Sequence, residues 1–406
     1  MLRHLFSFET MFIGHFHYSE LVAFFNMGNR LKPRYKMKLK ATLRLENGME
    51  FQGWSFGCTE PVSGEVVFNT SMVGYPEQLT DPTYDCQLLC LTYPLIGNYG
   101  VPSEELMGES LSLKLESERI HPKGLIVFDY CEEYSNWEAE KGLEQWMNEQ
   151  KLTGIYGIDT RELTKTLRDK GPLKGMIIPE GAEVPAAQAD PSPAHVSCTE
   201  TIVYKAQPAQ AVENPNGSKA AVTDGRKIVL VDCGVRHSIL RNLIARGAEV
   251  IRVPYDYDFT DMEYDGVFVS NGPGCLCNYD KTVEILRKVL QGSKPVYGIG
   301  VGYHLIAKAA GCEMLRLKHP HRSANQPVRK SGSYRSYITA QNVYRTIKPE
   351  SIPSDWEVYF TNLNDGAVDG MKHKTKPFAG TQFDPQVCVG LAENVTPLDD
   401  FITRLW

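Results

Sequence analysis

Three short stretches of this 406-residue chain carry residue types from which chemistry could be built. Ser270-Asn271-Gly272-Pro273-Gly274 follows an apolar run. Two glycines around a proline make a tight loop whose backbone amides can point at an anion or a carbonyl oxygen, although an ordinary turn has the same composition. Gly298-Ile299-Gly300-Val301-Gly302 lies between a strand pattern and a helix pattern. That is the shape of a nucleophile elbow, a strained turn that projects its middle side chain into a site. The middle residue here is Gly300, which accepts positive φ freely but has no nucleophile to offer. Thr381-Gln382-Phe383-Asp384-Pro385-Gln386 sets Asp384 and Gln386 two apart, and on an extended segment both would face the same way. A carboxylate is a weak base and an amide carries no charge, so this stretch taken alone is compatible with a plain strand end.

The elements that must position these stretches alternate between strand and helix. After Arg226, strands are predicted at Lys227 to Asp232, Glu249 to Val253, Gly266 to Ser270 and Pro295 to Ile299. Helices are predicted at Ser238 to Ala245, Val283 to Leu290 and His304 to Ala310. Such alternation predicts a doubly wound parallel sheet, with ligands at the carboxyl ends of its strands. The first half is β-rich: Thr42 to Glu46 alternates, Asn47-Gly48 is a hairpin turn signal, and further strand patterns run at Gly64 to Phe68, Leu88 to Leu91 and Leu125 to Phe128. Trp137 to Gln150 has helical periodicity, and Asp159 opens another helix that runs to about Arg168. The resulting fold class is α/β, a mixed β-rich domain followed by a doubly wound sheet.

Four segments follow: a leader over 1–36, a first domain over 37–180, a connector over 181–225 rich in Pro, Ala, Ser and Asn with strand content near Thr201 to Tyr204, and a second domain over 226–406. The leader is aromatic and slightly basic, without the clean apolar stretch of a signal peptide. Met37 opens the first strand pattern, so the expectation is that it is the start and that the leader is unstructured or misread; organellar targeting is the alternative to a cytoplasmic location. The net charge of -6 argues against nucleic-acid binding. No apolar run reaches the length of a membrane span. The ten cysteines include no Cys-x-x-Cys pair, the nearest being Cys275 with Cys277 and Cys86 with Cys90, and no metal site is expected.

In order along the chain, these stretches resemble the small, glutamine-hydrolysing subunit of carbamoyl-phosphate synthetase, with a class I glutamine amidotransferase domain second. Phe68 to Tyr75, Leu79-Thr80-Asp81-Pro82-Thr83-Tyr84, Leu91 to Gly100, Gly157 to Arg168, Arg322 to Val328 and Asn362 to Gly366 all match, so the resemblance spans about residues 39–403. The family's Gly-Ile-Cys-Leu-Gly-His-Gln appears as Gly298 to His304, and its Gln-Phe-His-Pro-Glu as Gln382 to Gln386. The resemblance implies a cysteine nucleophile, a histidine base and an orienting glutamate where this chain has Gly300, Asp384 and Gln386. Losing members of such a unit removes orders of magnitude in rate.

The resemblance also implies a glutamine pocket at Thr83, Gly272, Gly274, Val301, His304, Asn342, Tyr344 and Arg345. Thr83 keeps a hydroxyl where the family has serine, and Gly272 and Gly274 match. Val301 and His304 replace leucine and glutamine, and Gln-Asn-His-Gly-Phe becomes Gln341-Asn342-Val343-Tyr344-Arg345, which puts glutamine binding in question. Cys275 follows Gly274 as the remaining thiol near the pocket, with His304 as its candidate base by sequence proximity. The implied partner is the large synthetase subunit, which would use ATP; no cofactor is implied for this chain. The expectation is an inert structural or regulatory small subunit, with a stand-alone small-molecule binder or a decaying paralogue as alternatives.

Overall fold

The computed structural model of the protein describes residues 38–108, 111–185, 190–209, 219–385 and 397–405. The leader and Gln386 lie outside these residues. Strand β1 (Lys40–Leu45) buries Ala41, Leu43 and Leu45 while Lys40 and Arg44 face outward, the period of two read from the sequence. The Asn47-Gly48 turn leads into β2 (Glu50–Gly57), antiparallel to β1 with Leu43 opposite Phe51. The strands β3 (Val62–Asn69), β4 (Gln87–Leu91), β5 (Gly124–Ile126), β6 (Thr153–Tyr156) and β7 (Leu173–Pro179) complete a closed barrel in the order β1-β7-β3-β4-β5-β6-β2. Closure removes the sheet edges that would otherwise seek partners.

β4 is buried throughout, with Leu88 and Cys90 packing with Leu43, Ile126 and Ile177, while Leu89 and Leu91 pack with helices α1 (Tyr75–Leu79) and α2 (Leu143–Glu149). The helical periodicity expected from Trp137 starts only at Leu143. Ala139–Lys141 instead pairs antiparallel with Val101–Pro102, and Trp137 is 91% exposed. Helix α3 (Thr160–Lys170) begins where predicted, capped by Asp159, whose carboxylate accepts the Glu162 N–H at 2.9 Å.

The second half builds one ten-stranded sheet. Its strands are β8 (Ile202–Tyr204), β9 (Lys227–Asp232), β10 (Glu249–Pro254), β11 (Gly266–Val269), β12 (Val296–Ile299), β13 (Met314–Lys330), β14 (Ser336–Ile347), β15 (Trp356–Asn362), β16 (Val368–His373) and β17 (Phe378–Thr381), ordered β8-β10-β9-β11-β12-β17-β16-β14-β13-β15. The parallel part runs β10-β9-β11-β12-β17, packed by α4 (His237–Ala245), α5 (Asp280–Val289), α6 (Val301–Ala310) and α7 (Pro397–Thr403). β8 comes from the 181–225 stretch and adds antiparallel to β10. The long β13–β14 hairpin has register shifts at Arg316/His321 and Ser323/Gln326, and the residue pattern gave no sign of it. Among the described residues no helix is long and apolar enough to cross a membrane.

The β12–α6 junction is a tight joint that bears on the site. A Cβ placed on Gly302 would run into the carbonyl of Val269 and stand 2.7 Å from the carbonyl oxygen of Ser270. Those are backbone atoms of the neighbouring strand end, which cannot rotate away. Gly302→Ala is therefore expected to lower stability by roughly 2–3 kcal/mol, read as a reduced urea midpoint at unchanged slope; an unchanged midpoint would show that the junction relaxes freely.

Candidate functional site

The eight pocket positions named from the sequence line one cavity. Thr83 comes from the turn before β4, Gly272 and Gly274 from the loop after β11, Val301 and His304 from the first turn of α6, and Asn342, Tyr344 and Arg345 from β14. Gln87, Asn271, Pro273, Leu276, Arg322 and Val343 complete the lining, and the cavity measures about 50 Å³. It sits at the carboxyl ends of β11 and β12, where doubly wound sheets bind ligands, and the barrel supplies its far wall. Asn342 Nδ2 donates to Thr83 Oγ1 at 3.2 Å, and the Thr70 N–H donates to the Arg322 carbonyl at 3.2 Å, so both halves of the protein hold this wall in place.

Gly300 occupies the bend between β12 and α6 with φ 52° and ψ −116°. This is strained strand-to-helix geometry that glycine adopts at little cost. Its N–H donates to the Thr381 carbonyl at 2.9 Å, joining the bend to the end of β17. The space beyond its Cα is already filled, since a Cβ there would stand 2.5 Å from Cγ of Asn271. The Asn271 Oδ1 accepts the Val301 N–H at 2.9 Å, which fixes the amide across the bend.

Asp384 does not lie on an extended strand. β17 ends at Thr381, and the carboxylate of Asp384 forms an ion pair with the guanidinium of Arg236, at the N-terminus of α4. Both side chains are largely buried, and Arg236 also lies 3.5 Å from Asp81 of the barrel turn. Burial disfavours the Arg236 charge, but Asp384, Asp81 and Glu116 more than offset it and raise its pKa. Local sequence pattern does not reveal this pair, because Arg236 stands 148 residues from its partner.

His304 is buried, and its ring lies 2.7 Å from Gln382 Oε1 through Nε2. Gln382 Nε2 donates to the Arg345 carbonyl at 2.6 Å, which orients the amide so that its oxygen accepts from an Nε2–H of His304. Its candidate role as base for Cys275 is not supported by these contacts, because the group beside the Cys275 thiol is Arg345, with both terminal nitrogens 4.0 Å from Sγ. Burial raises the Cys275 pKa, yet Cys277 and Arg345 outweigh it and draw the thiol below its ordinary value. Arg345 in turn lies 4.8 Å over the Tyr344 ring. Arg322, whose role the sequence did not suggest, is 4% exposed and donates from Nη1 to Asn342 Oδ1 at 2.6 Å.

Burial pushes the His304 pKa down to about 4, with the Gln382 hydrogen bond opposing and Arg345 assisting. The unfolded imidazole titrates near 6.5. Between those values the unfolded chain binds the proton and the folded chain does not, so this stability is present above about pH 6.5 and is lost as pH falls toward 4. His304 alone is expected to cost about 2 kcal/mol on going from pH 7 to pH 5. His304→Gln should flatten that part of the slope in urea melts at the two pH values, whereas an equal slope in the variant would assign the acid sensitivity elsewhere.

Comparison with known proteins places this geometry in a family. The family model for the carbamoyl-phosphate synthase small chain, CPSase domain, matches residues 43–177, and that for glutamine amidotransferase class-I matches 229–404. The arginine-specific small chains of carbamoyl phosphate synthase from Debaryomyces hansenii and Saccharomyces cerevisiae are 38% and 39% identical, over 90% of this chain and 85% and 89% of theirs. The multifunctional protein CAD of Squalus acanthias is 40% identical over 89% of this chain, which spans only 16% of that protein's length. A first domain of the small-chain type precedes a class I amidotransferase-like domain, and the chain belongs to the carbamoyl-phosphate synthase small chain family.

Proposed function

We propose that this chain is a small-chain homologue that does not hydrolyse glutamine and acts as a structural or regulatory partner of a large synthetase subunit supplied with free ammonia. The observation that carries this reading is the bend at Gly300, which has no side chain and has the Asn271 amide where a nucleophile's Cβ would stand. Acyl transfer through a thioester needs a thiolate at that point and a base that can take and return its proton. Asp384 is engaged by the buried Arg236, so the base position serves an ion pair instead.

One observation supports a second reading, in which the pocket holds a small anion. Arg322 is buried beside the cavity and pairs with no carboxylate at ion-pair distance among the described residues. Burial lowers its pKa, with Tyr84 and Glu65 partly offsetting. A small oxyanion would complete that charge, with Arg345 on the same wall. Thermal-shift measurements with bicarbonate, phosphate and small carboxylates should then give a rise in midpoint that Arg345→Ala reduces. The absence of any anion-dependent shift would eliminate this second reading.

The primary reading is tested with purified chain, alone and with a large subunit. No ammonia should be released from glutamine, and intact-mass measurement should find no adduct with an electrophilic glutamine analogue. Glutamine hydrolysis above background, or a glutamyl adduct on any residue, refutes it. The rebuilt variant Gly300→Cys, Asp384→His, Gln386→Glu is the control. Its Gly300→Cys change is expected to cost about 1–3 kcal/mol from backbone strain and displacement of Asn271, and the Asp384→His change leaves Arg236 buried beside the new imidazole. The rebuilt chain should therefore regain little activity unless Arg236 is also replaced by an uncharged residue, such as Arg236→Met.

A further inference from the structure

Away from the pocket, three donor groups of different kinds converge where the connector meets the barrel. Asp85 and Cys86 lie between the Thr83 turn and β4, and His195 ends the short 3-10 helix Pro193–His195. His195 Nδ1 is 2.8 Å from Asp85 Oδ2 and 3.9 Å from Cys86 Sγ, and one ligand atom from each residue lies within 4.8 Å of the others. Asp85 and Cys86 are buried, while the His195 side chain is 39% exposed, so the group opens to solvent on one side.

From this geometry we infer a site for a borderline-soft divalent cation, of which zinc is the type, formed by the Asp85 carboxylate, the Cys86 thiolate and the His195 imidazole. Sulfur, imidazole nitrogen and carboxylate oxygen form the donor set that zinc takes. At bonds of about 2.1 Å to N and O and 2.3 Å to S, tetrahedral coordination sets N and O about 3.4 Å apart and N and S about 3.6 Å apart. The two spacings from His195 Nδ1 reach those values with shifts of roughly half an ångström, and the oxygen and sulfur, within 4.8 Å of each other, close by side-chain rotation. Water on the open side supplies the fourth ligand. Thiolate and carboxylate together balance the double charge of the ion. That balance matters because Arg119, which donates to the His195 carbonyl at 2.6 Å, and Lys123 both place positive charge nearby.

Such an ion would pin the connector to the turn that carries Thr83. The Ser192 N–H lies 3.5 Å from Asp85 Oδ2, and Asn278 Nδ2 donates to the Pro191 carbonyl at 3.3 Å, so the same segment also touches the residues after the Gly272–Gly274 loop. The inference does not depend on the glutaminase reading, since none of the three donors lines the pocket.

The test uses the full chain, reduced and stripped with chelator, titrated with Co(II) as a spectroscopic probe and then with Zn(II). One Co(II) per chain should bind with a thiolate-to-cobalt charge-transfer band that Zn(II) bleaches, and Zn(II) should raise the thermal midpoint. The band should persist in the double variant Cys275→Ser, Cys277→Ser, vanish in Cys86→Ser, and require at least about tenfold more Co(II) in His195→Gln. His195 is partly exposed, so its variant probes the site without disturbing the barrel if Cys86→Ser folds poorly. Absence of the band in the unsubstituted chain, its loss in the Cys275/Cys277 variant, or an unchanged titration in His195→Gln overturns the inference.

Discussion

The buried guanidinium of Arg236 is the interaction on which the arrangement of this protein's centre depends. It sits at the N-terminus of α4 and pairs with Asp384, just beyond β17, and with Asp81, in the barrel turn. One charge thus ties the sheet domain to the barrel at the point where the cavity lies. Removing one partner of such a pair typically costs about 3–5 kcal/mol, because the other charge is left buried and uncompensated. Asp81 also accepts the Thr83 N–H at 2.9 Å, so the same network sets the turn that presents Thr83 to Asn342.

On the proposed reading, that structural task occupies a residue that the family resemblance assigns to the base. A base must be able to take up a proton as the nucleophile attacks, and a carboxylate held by a buried guanidinium is poorly suited to this. The bend at Gly300 likewise presents no side chain to the cavity. Glycine adopts the strained turn without needing surrounding contacts to hold it there, and the Asn271 amide packs across the space that a side chain would occupy. The pocket walls follow suit: His304 donates to Gln382, Gln382 to the Arg345 carbonyl, and Arg322 to Asn342. Polar groups that could meet a substrate are largely engaged with one another.

The barrel and the sheet reach this centre by different means. β4 is buried on both faces, so its apolar residues hold the helices of the first domain and the barrel interior together. In the second domain the parallel strands end together, and the loops after β11 and β12 meet there because adjacent parallel strands present the same ends. The β13–β14 hairpin then reaches across with Arg322 and Arg345. Its register shifts lie on either side of the stretch that carries Arg322, where a regular ladder would space the side chains differently.

Much of this was written locally in the sequence. Period-two alternation marked β1, the Asn47-Gly48 turn marked its hairpin, and apolar runs between helical patterns marked β9, β10, β11 and β12 nearly to the residue. That Gly300 offers no nucleophile needed no structure, because a residue's chemistry is present in its identity. The pairing of Arg236 with Asp384, the gathering of Asp85, Cys86 and His195, the Asn271 amide over the bend and the strand that delays α2 to Leu143 all join residues distant in the chain. Local periodicity records which face of an element is apolar. It does not record which distant side chain meets it, since that is settled only when the barrel and sheet pack and each buried charge must find a partner.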